Sequence, residues 1–241
     1  MALEASSGRA ASSLDVARER RLLLDRLDRW LVEQVKPYIG QRVLEVGCGH
    51  GNLTRLLLDR ERVVAIDADA ESVGVVQQRF GGYVHVTSLA HDITDAAVLA
   101  LRREAVDTAI SFNVLEHIAD DVTALRHMHE VVVSGGYMIV VAPALPALYG
   151  PMDRALGHRR RYTLASMRER LALVEARSVA LYYTNPLGAV GWFLNGRVLR
   201  QRELWRVQLR LFNRLVPALA RAERRLRPPF GLSVVSVSQR R

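Results

Sequence analysis

An α/β protein built on a mostly parallel sheet, with a helical insertion late in the chain, is what this sequence predicts, and three features predict it. Short apolar runs alternate with stretches of helical periodicity, the pattern left by parallel strands covered on both faces. A glycine-rich turn, Gly47 to Gly51, joins the first apolar run to the helical stretch after it, and the next run stops on an acid, Asp67. Apolar residues make up 49% of the 241 residues, enough to fill the core of one such domain.

In order, residues 14–35 carry an apolar stripe (Leu23, Leu27, Trp30, Leu31, Val35) that predicts a helix ending before Pro37. Strands are predicted over 42–46, 63–66, 83–88, 107–112 and 137–142, with helices over 53–59, 70–79, 95–103 and 120–133 between them. Thr163 is placed to cap a helix through Leu173, because its hydroxyl can accept from an unpaired N–H of the first turn. A sixth strand is expected over 178–183 and a seventh over 232–238. Between these two lies a helical cap, 185–229, inserted into a single domain spanning 14–241. Within it Leu204, Val207, Leu211, Leu215, Leu219, Ala222 and Leu226 recur at helical spacing as the expected buried stripe, and Arg206, Arg210 and Arg214 line another face. Pro217 should break or kink that helix. The Ala/Ser-rich residues 1–13 have no apolar core segment and read as a disordered lead-in, not a signal peptide.

The net charge of +9 is unevenly spread. Residues 196–241 hold 12 arginines against Glu203 and Glu223, a balance of +10, so the rest of the chain sums to −1. An acidic partner would therefore meet the C-terminal segment. The single cysteine, Cys48, excludes an internal disulfide and suits a cytoplasmic location. No stretch approaches the ~20 apolar residues of a membrane span.

The turn itself narrows the ligand. Dinucleotide fingerprints place glycines at the first, third and sixth positions, whereas here they are Gly47, Gly49 and Gly51, with Asn52 sixth. Glu45 before the turn disfavours a pyrophosphate and favours a cation. E-x-G-x-G-x-G with an acid after the second strand resembles the first motif of the class I S-adenosylmethionine-dependent methyltransferases of the small-molecule type. Further stretches match in order: His91-Asp92-Ile93, then Phe112 to Ile118 (FNVLEHI), then Gly135-Gly136 before a strand. The resemblance covers roughly residues 42–143. It implies a Rossmann-like doubly wound, seven-stranded sheet with an antiparallel last strand, and S-adenosylmethionine as cofactor, left as S-adenosylhomocysteine. It also implies a cofactor site of Glu45, Gly47, Cys48, Gly49, Asp67, Ala68, Asp92, Ile93 and Asn113, in which Asp67 accepts the ribose hydroxyls, Asp92 takes the adenine amino group and Ile93 packs on the ring.

Two stretches are candidates for the chemistry. His117 follows the fourth strand, at the sheet edge where such folds bind ligands. Residues 143–163 (PALPALYGPMDRALGHRRRYT) follow the fifth and concentrate functional side chains. His117 and His158 are the candidate bases, Arg160 or Arg161 the candidate anchor for an anionic acceptor group, and Tyr149 and Tyr162 candidate pocket walls. His127, His129 and Glu130 do not share a helix face and no Cys cluster or HExxH run occurs, so no metal is expected. The expected activity is methylation of a small molecule, anionic or hydrophobic, at oxygen, with nitrogen or carbon acceptors open. The basic cap leaves three roles open: a lid over a hydrophobic acceptor, with Trp192 and Phe193 just upstream, a surface for peripheral membrane contact, and a holder of RNA phosphates. The last is disfavoured by the lack of interleaved aromatics. A catalytically idle cofactor-binding protein fits the same residues.

Overall fold

The computed structural model describes residues 25–201, 206–223 and 228–241. The expected lead-in, the start of the N-terminal helix with Leu23, and Leu204 and Leu226 lie outside them.

Helix α1 (Asp25–Val35) leads into β1 (Arg42–Val46). There follow β2 (Arg62–Asp67), α2 (Ala70–Phe80), β3 (Val86–Ala90), a 3-10 helix at Ala96–Glu104, β4 (Thr108–Phe112), α3 (Asp121–Val131) and β5 (Tyr137–Pro143). The second half comprises α4 (Pro151–Ala155), α5 (Leu164–Leu173), β6 (Arg177–Thr184), α6 (Pro186–Phe193) continuing as a π-helical turn at Leu194–Val198, α7 (Arg206–Glu223) and β7 (Ser233–Gln239). The seven strands form one sheet in the order β3-β2-β1-β4-β5-β7-β6. β1 to β5 pair in parallel, and β7 runs antiparallel between β5 and β6. This is the doubly wound arrangement expected, with its antiparallel last strand.

Side chains alternate across the sheet, as the pleat requires. Leu44, Val64, Ala109, Met138 and Val140 pack on one face with α3 and α5, whose contributions include Leu125, Met128, Met167 and Leu171. Val43, Val63, Ile110, Ile139 and Val237 pack on the other with Leu31, Val32 and Val35 of α1. Helix starts carry the caps that local chemistry dictates: Asp69 accepts from Glu71 N and Ser72 N, Asp120 from Thr123 N, and Thr163 from Ser166 N.

Three local expectations are corrected. The helix over 53–59 shrinks to a 3-10 turn at Thr54–Leu56, where Leu56 N bonds Leu53 O and Leu57 N bonds Thr54 O. Leu53 and Leu57 both bury while the Thr54 hydroxyl turns to Glu45, so a single tight turn satisfies the segment. Pro217 sits inside α7 without ending it, and Val216 and Ala220 on either side pack with Trp30 of α1. The buried face of α7 is Leu209, Val216 and Ala220, backed by Phe212, and the predicted stripe of Val207, Leu211 and Leu215 faces solvent. Docking onto Trp30 selects the buried face, and periodicity alone does not show which of two apolar stripes meets it.

Candidate active site

The carboxyl ends of β1 to β5 open onto a cavity of about 920 Å³. Its position follows the rule for open α/β sheets, where crossovers leave a crevice beyond the strand ends. Its two halves differ in chemistry.

One half is acidic and gathers the ends of β1, β2 and β3, with Glu45, Gly47, Cys48, Gly49, Asp67 and Asp92 in its wall. Gly47 has φ +77°, and a Cβ there would overlap the side chain of Val114, so a glycine is needed to seat the turn against the β4 loop. The turn is tied to β2 by three bonds: Gly47 N and Cys48 N donate to Ile66 O, and Gly49 N donates to Asp67 Oδ2 at 2.8 Å. Asp67 Oδ1 accepts from Asp69 N at 3.0 Å, so the carboxylate is fixed by one backbone bond to each oxygen and keeps lone pairs toward the cavity. Asp92 accepts from Thr94 N and Thr94 Oγ1 on one oxygen, Oδ1. Glu45 is fully buried, takes a hydrogen bond from Thr54 Oγ1 at 2.7 Å, and is pushed up to about 8 by burial, with Asp67 adding to the rise. Burial thus favours the protonated form of Glu45, and a cation beside it would favour its ionisation. Burial also raises the Cys48 thiol, which is no thiolate nucleophile.

The other half holds histidines and arginines from the β4 and β5 loops, closed by Trp192 of the cap. His158 Nδ1 lies 3.0 Å from Asp153 Oδ1, which also accepts from Arg161 Nε at 2.7 Å. Gly150 N supplies Asp153 with a further bond. Burial would raise Asp153, but the hydrogen bonds from His158 and Arg161 outweigh it and hold the carboxyl below its usual range. Asp153 therefore fixes His158 with Nδ1 protonated and Nε2 turned toward Glu116, whose Oε1 lies 3.8 Å away. Glu116 is buried, neither of its oxygens has a hydrogen-bond partner, and burial pushes it up to about 8 against the pull of Arg161. The Arg161 guanidinium stacks over the Trp192 ring at 4.7 Å. His117 packs its ring edge-on to His158 at 4.9 Å and faces Gly157 O at 3.3 Å.

The cavity thus brings together all nine expected cofactor residues with His117, His158 and Arg161. Three expected acceptor residues lie off it. Tyr162 is buried, its hydroxyl donating to Asp121 Oδ2 at 2.8 Å. Arg160 pairs with the same Asp121, and Tyr149 donates to His158 O, so all three brace the loop. Sequence reasoning gave no individual role to Glu116, visible only as an acid in the apolar run FNVLEHI, or to Asp153, one of the residues concentrated in the 143–163 loop. His127, weighed as a metal ligand, instead meets Ile93 O at 2.7 Å. A different trio, Glu116, His117 and His158, has donor atoms within 4.8 Å of one another.

The family model of the methyltransferase domain matches residues 44–140. The match to a methyltransferase domain thus takes in the strands and turns that line the acidic half of the cavity. A ubiquinone biosynthesis O-methyltransferase of Ruegeria pomeroyi is 30% identical over 104 residues, 43% of this chain and 42% of that protein. An uncharacterised methyltransferase of Mycobacterium bovis is 35% identical over 119 residues, 49% of this chain and 58% of that one. The chain thus spans about half the length of the curated relatives it matches. The fold of a geranyl diphosphate methyltransferase, solved with S-adenosylmethionine, is similar with a TM-score of 0.63 at 14% identity, over 97% of this chain and 93% of that one.

The acidic half has the donor set expected for S-adenosylmethionine. Leaving aside Glu45 and Glu116, both raised by burial, the cavity wall carries four carboxyl groups (Asp28, Asp67, Asp92, Asp120) against two arginines (Arg159, Arg161), a balance that suits a cationic ligand and disfavours a pyrophosphate.

Proposed function

We propose that this chain transfers the methyl group of S-adenosylmethionine to an oxygen of a small-molecule acceptor, with His158 as the base. The observation that carries this reading is the Asp153–His158 pair aimed into the cavity opposite the acidic half. Within the acidic half Asp67 would hold the ribose hydroxyls, Asp92 and Ile93 the adenine, and Glu45 with the Gly47–Gly49 turn, Ala68 and Asn113 the amino-acid end. When bound, the cofactor supplies a methyl group on a cationic sulfur that is already a good leaving group.

The chain's own contributions are alignment and proton transfer. Holding an acceptor in attack geometry is worth up to ~7–11 kcal/mol. His158 Nε2 accepts the acceptor's hydroxyl proton, and Asp153 stabilises the imidazolium formed, the logic by which a buried carboxylate supports a histidine base. His117, edge-on to His158, is the alternative base. Arg161, held by Asp153 and Trp192, presents a fixed positive charge that suits an anionic acceptor group. Trp192 and Leu156 supply apolar wall on this side of the cavity.

The oxygen acceptor is supported by the presence of a positioned base, which takes the proton a hydroxyl loses on methylation and which a neutral amine does not need, and by the printed activity of the Ruegeria relative. The RNA reading finds less support, since none of the described arginines of the cap lines the cavity. We take 14–241 as a single catalytic unit capped by 185–229, and a cytoplasmic location accords with a lone, buried cysteine. Among the described residues no helix is long and apolar enough to cross a membrane.

The test is a screen of hydroxylated metabolites for uptake of labelled methyl groups, followed by His158→Asn and His117→Asn on any hit. Loss of turnover in His158→Asn with cofactor affinity retained is the expected result. Full turnover in both variants removes the histidine base, and turnover that a chelator abolishes and a divalent ion restores would replace it by a metal at Glu116, His117 and His158.

A further inference from the structure

We propose that the outward face of the cap docks on an anionic lipid surface. Helix α7 turns Leu209, Val216 and Ala220 inward, yet Val207, Leu211 and Leu215, spaced four apart, are 72%, 57% and 43% exposed. Leu194, Val198 and Leu199, at the end of the neighbouring helix, are likewise exposed. Arg210, Arg214 and Arg221 are exposed on α7 and fall about 80° round it from the apolar stripe, given the helical turn per residue. The acid of α7, Glu223, is turned the other way: it accepts from Thr184 Oγ1 and Asn185 N at the end of β6. The outward surface of this helix therefore shows leucines flanked by arginines and no carboxylate.

Charge decides the occupant. A second copy of this chain would bring the same basic surface against itself, with residues 196–241 at +10 in each. An anionic bilayer offers the complementary charge together with an apolar layer shallow enough for a stripe of leucines. A basic amphipathic helix that lies in the interface and does not span has this composition, and among the described residues no helix is long and apolar enough to span. Each arginine near an anionic leaflet strengthens binding about fivefold. The consequence for the site is proximity: α6 places Trp192 in the cavity wall and Phe193, next to it, half-exposed in the cap, so a docked cap holds the cavity beside the bilayer.

The test is sedimentation of the full chain with vesicles of phosphatidylcholine alone or mixed with phosphatidylglycerol. The expected result is pelleting with the mixed vesicles only, weakening as salt rises. The double variant Leu211→Glu/Leu215→Glu, at exposed positions and with wild-type circular dichroism, should lose at least about tenfold in binding, from the lost apolar burial and two added negative charges. Arg210→Ala/Arg214→Ala should lose about 25-fold from the two charges. Equal binding to neutral vesicles, no binding to either kind, or wild-type binding by both double variants overturns the proposal. So does light scattering that shows a dimer which Leu211→Glu/Leu215→Glu converts to a monomer, without vesicle binding.

Discussion

Two buried glutamates, one in each half of the cavity, make an instructive pair. Glu45 on β1 and Glu116 after β4 both face the ligand space, and burial pushes both up to about 8. Glu45 has a partner, the Thr54 hydroxyl, whereas both oxygens of Glu116 have none. A buried polar group left unpaired costs about 1–3 kcal/mol, so Glu116 holds a position that stability alone would not choose. The acidic half is finished by its own backbone and ready for a cation. The histidine half keeps an unsatisfied acid and an aimed imidazole, the features of a place where a proton moves.

The largest effect that separates the halves is expected for His158→Asn. Turnover should fall by ~10²–10⁴, the usual contribution of a positioned base, while S-adenosylmethionine affinity measured by calorimetry stays within about threefold. The mirror-image change, Asp67→Ala, should weaken cofactor binding by about 1.5–3 kcal/mol, the range for a charge-assisted hydrogen bond. If instead His158→Asn costs as much cofactor affinity as Asp67→Ala, the division into two halves is wrong.

A third prediction sharpens the contrast between the glutamates through pH. The folded state raises Glu116 from 4.5 to about 8, so it binds a proton more tightly than the unfolded chain does. Its contribution to stability is complete below 4.5 and is lost as pH rises toward 8. Glu116→Gln should accordingly flatten the fall in stability between pH 5 and 9 and be more stable than the parent at the alkaline end by about 1–3 kcal/mol, read from urea melts. A variant that melts in parallel with the parent at every pH would show that Glu116 is not a buried proton-binding acid. The smallest effect is expected for Tyr162→Phe, which removes the bond to Asp121: about 1 kcal/mol of stability, with turnover little changed because the ring lies off the cavity. A turnover loss as large as that of His158→Asn would return Tyr162 to the acceptor site.

The same halves explain how much of the molecule the sequence reveals. The acidic half is made of short contiguous segments at strand ends, so the glycine spacing, the acid closing β2 and the His91-Asp92-Ile93 stretch each mark their own place. The sheet is legible for the same reason: apolar runs such as 63–66 and 137–142 declare strands locally. The histidine half is assembled from residues 116, 153, 158, 161 and 192, whose meeting depends on how the β5 loop folds back. Charged residues in that loop look alike in sequence, yet Arg161 goes to the cavity and Arg160 to Asp121. The cap fails in another way: α7 carries two apolar stripes, and only Trp30, far away in the chain, decides which is buried. At 53–59 the buried Glu45 draws Thr54 aside, a long-range hydrogen bond that helical spacing cannot register.

The most direct measurement is a calorimetric titration of the wild-type chain at neutral pH with S-adenosylmethionine and, separately, with NAD. The account predicts saturable binding of the sulfonium compound, abolished or strongly weakened by Asp67→Ala, and no heat from the dinucleotide. Binding of NAD with equal or greater affinity, or no binding of S-adenosylmethionine at all, would contradict it.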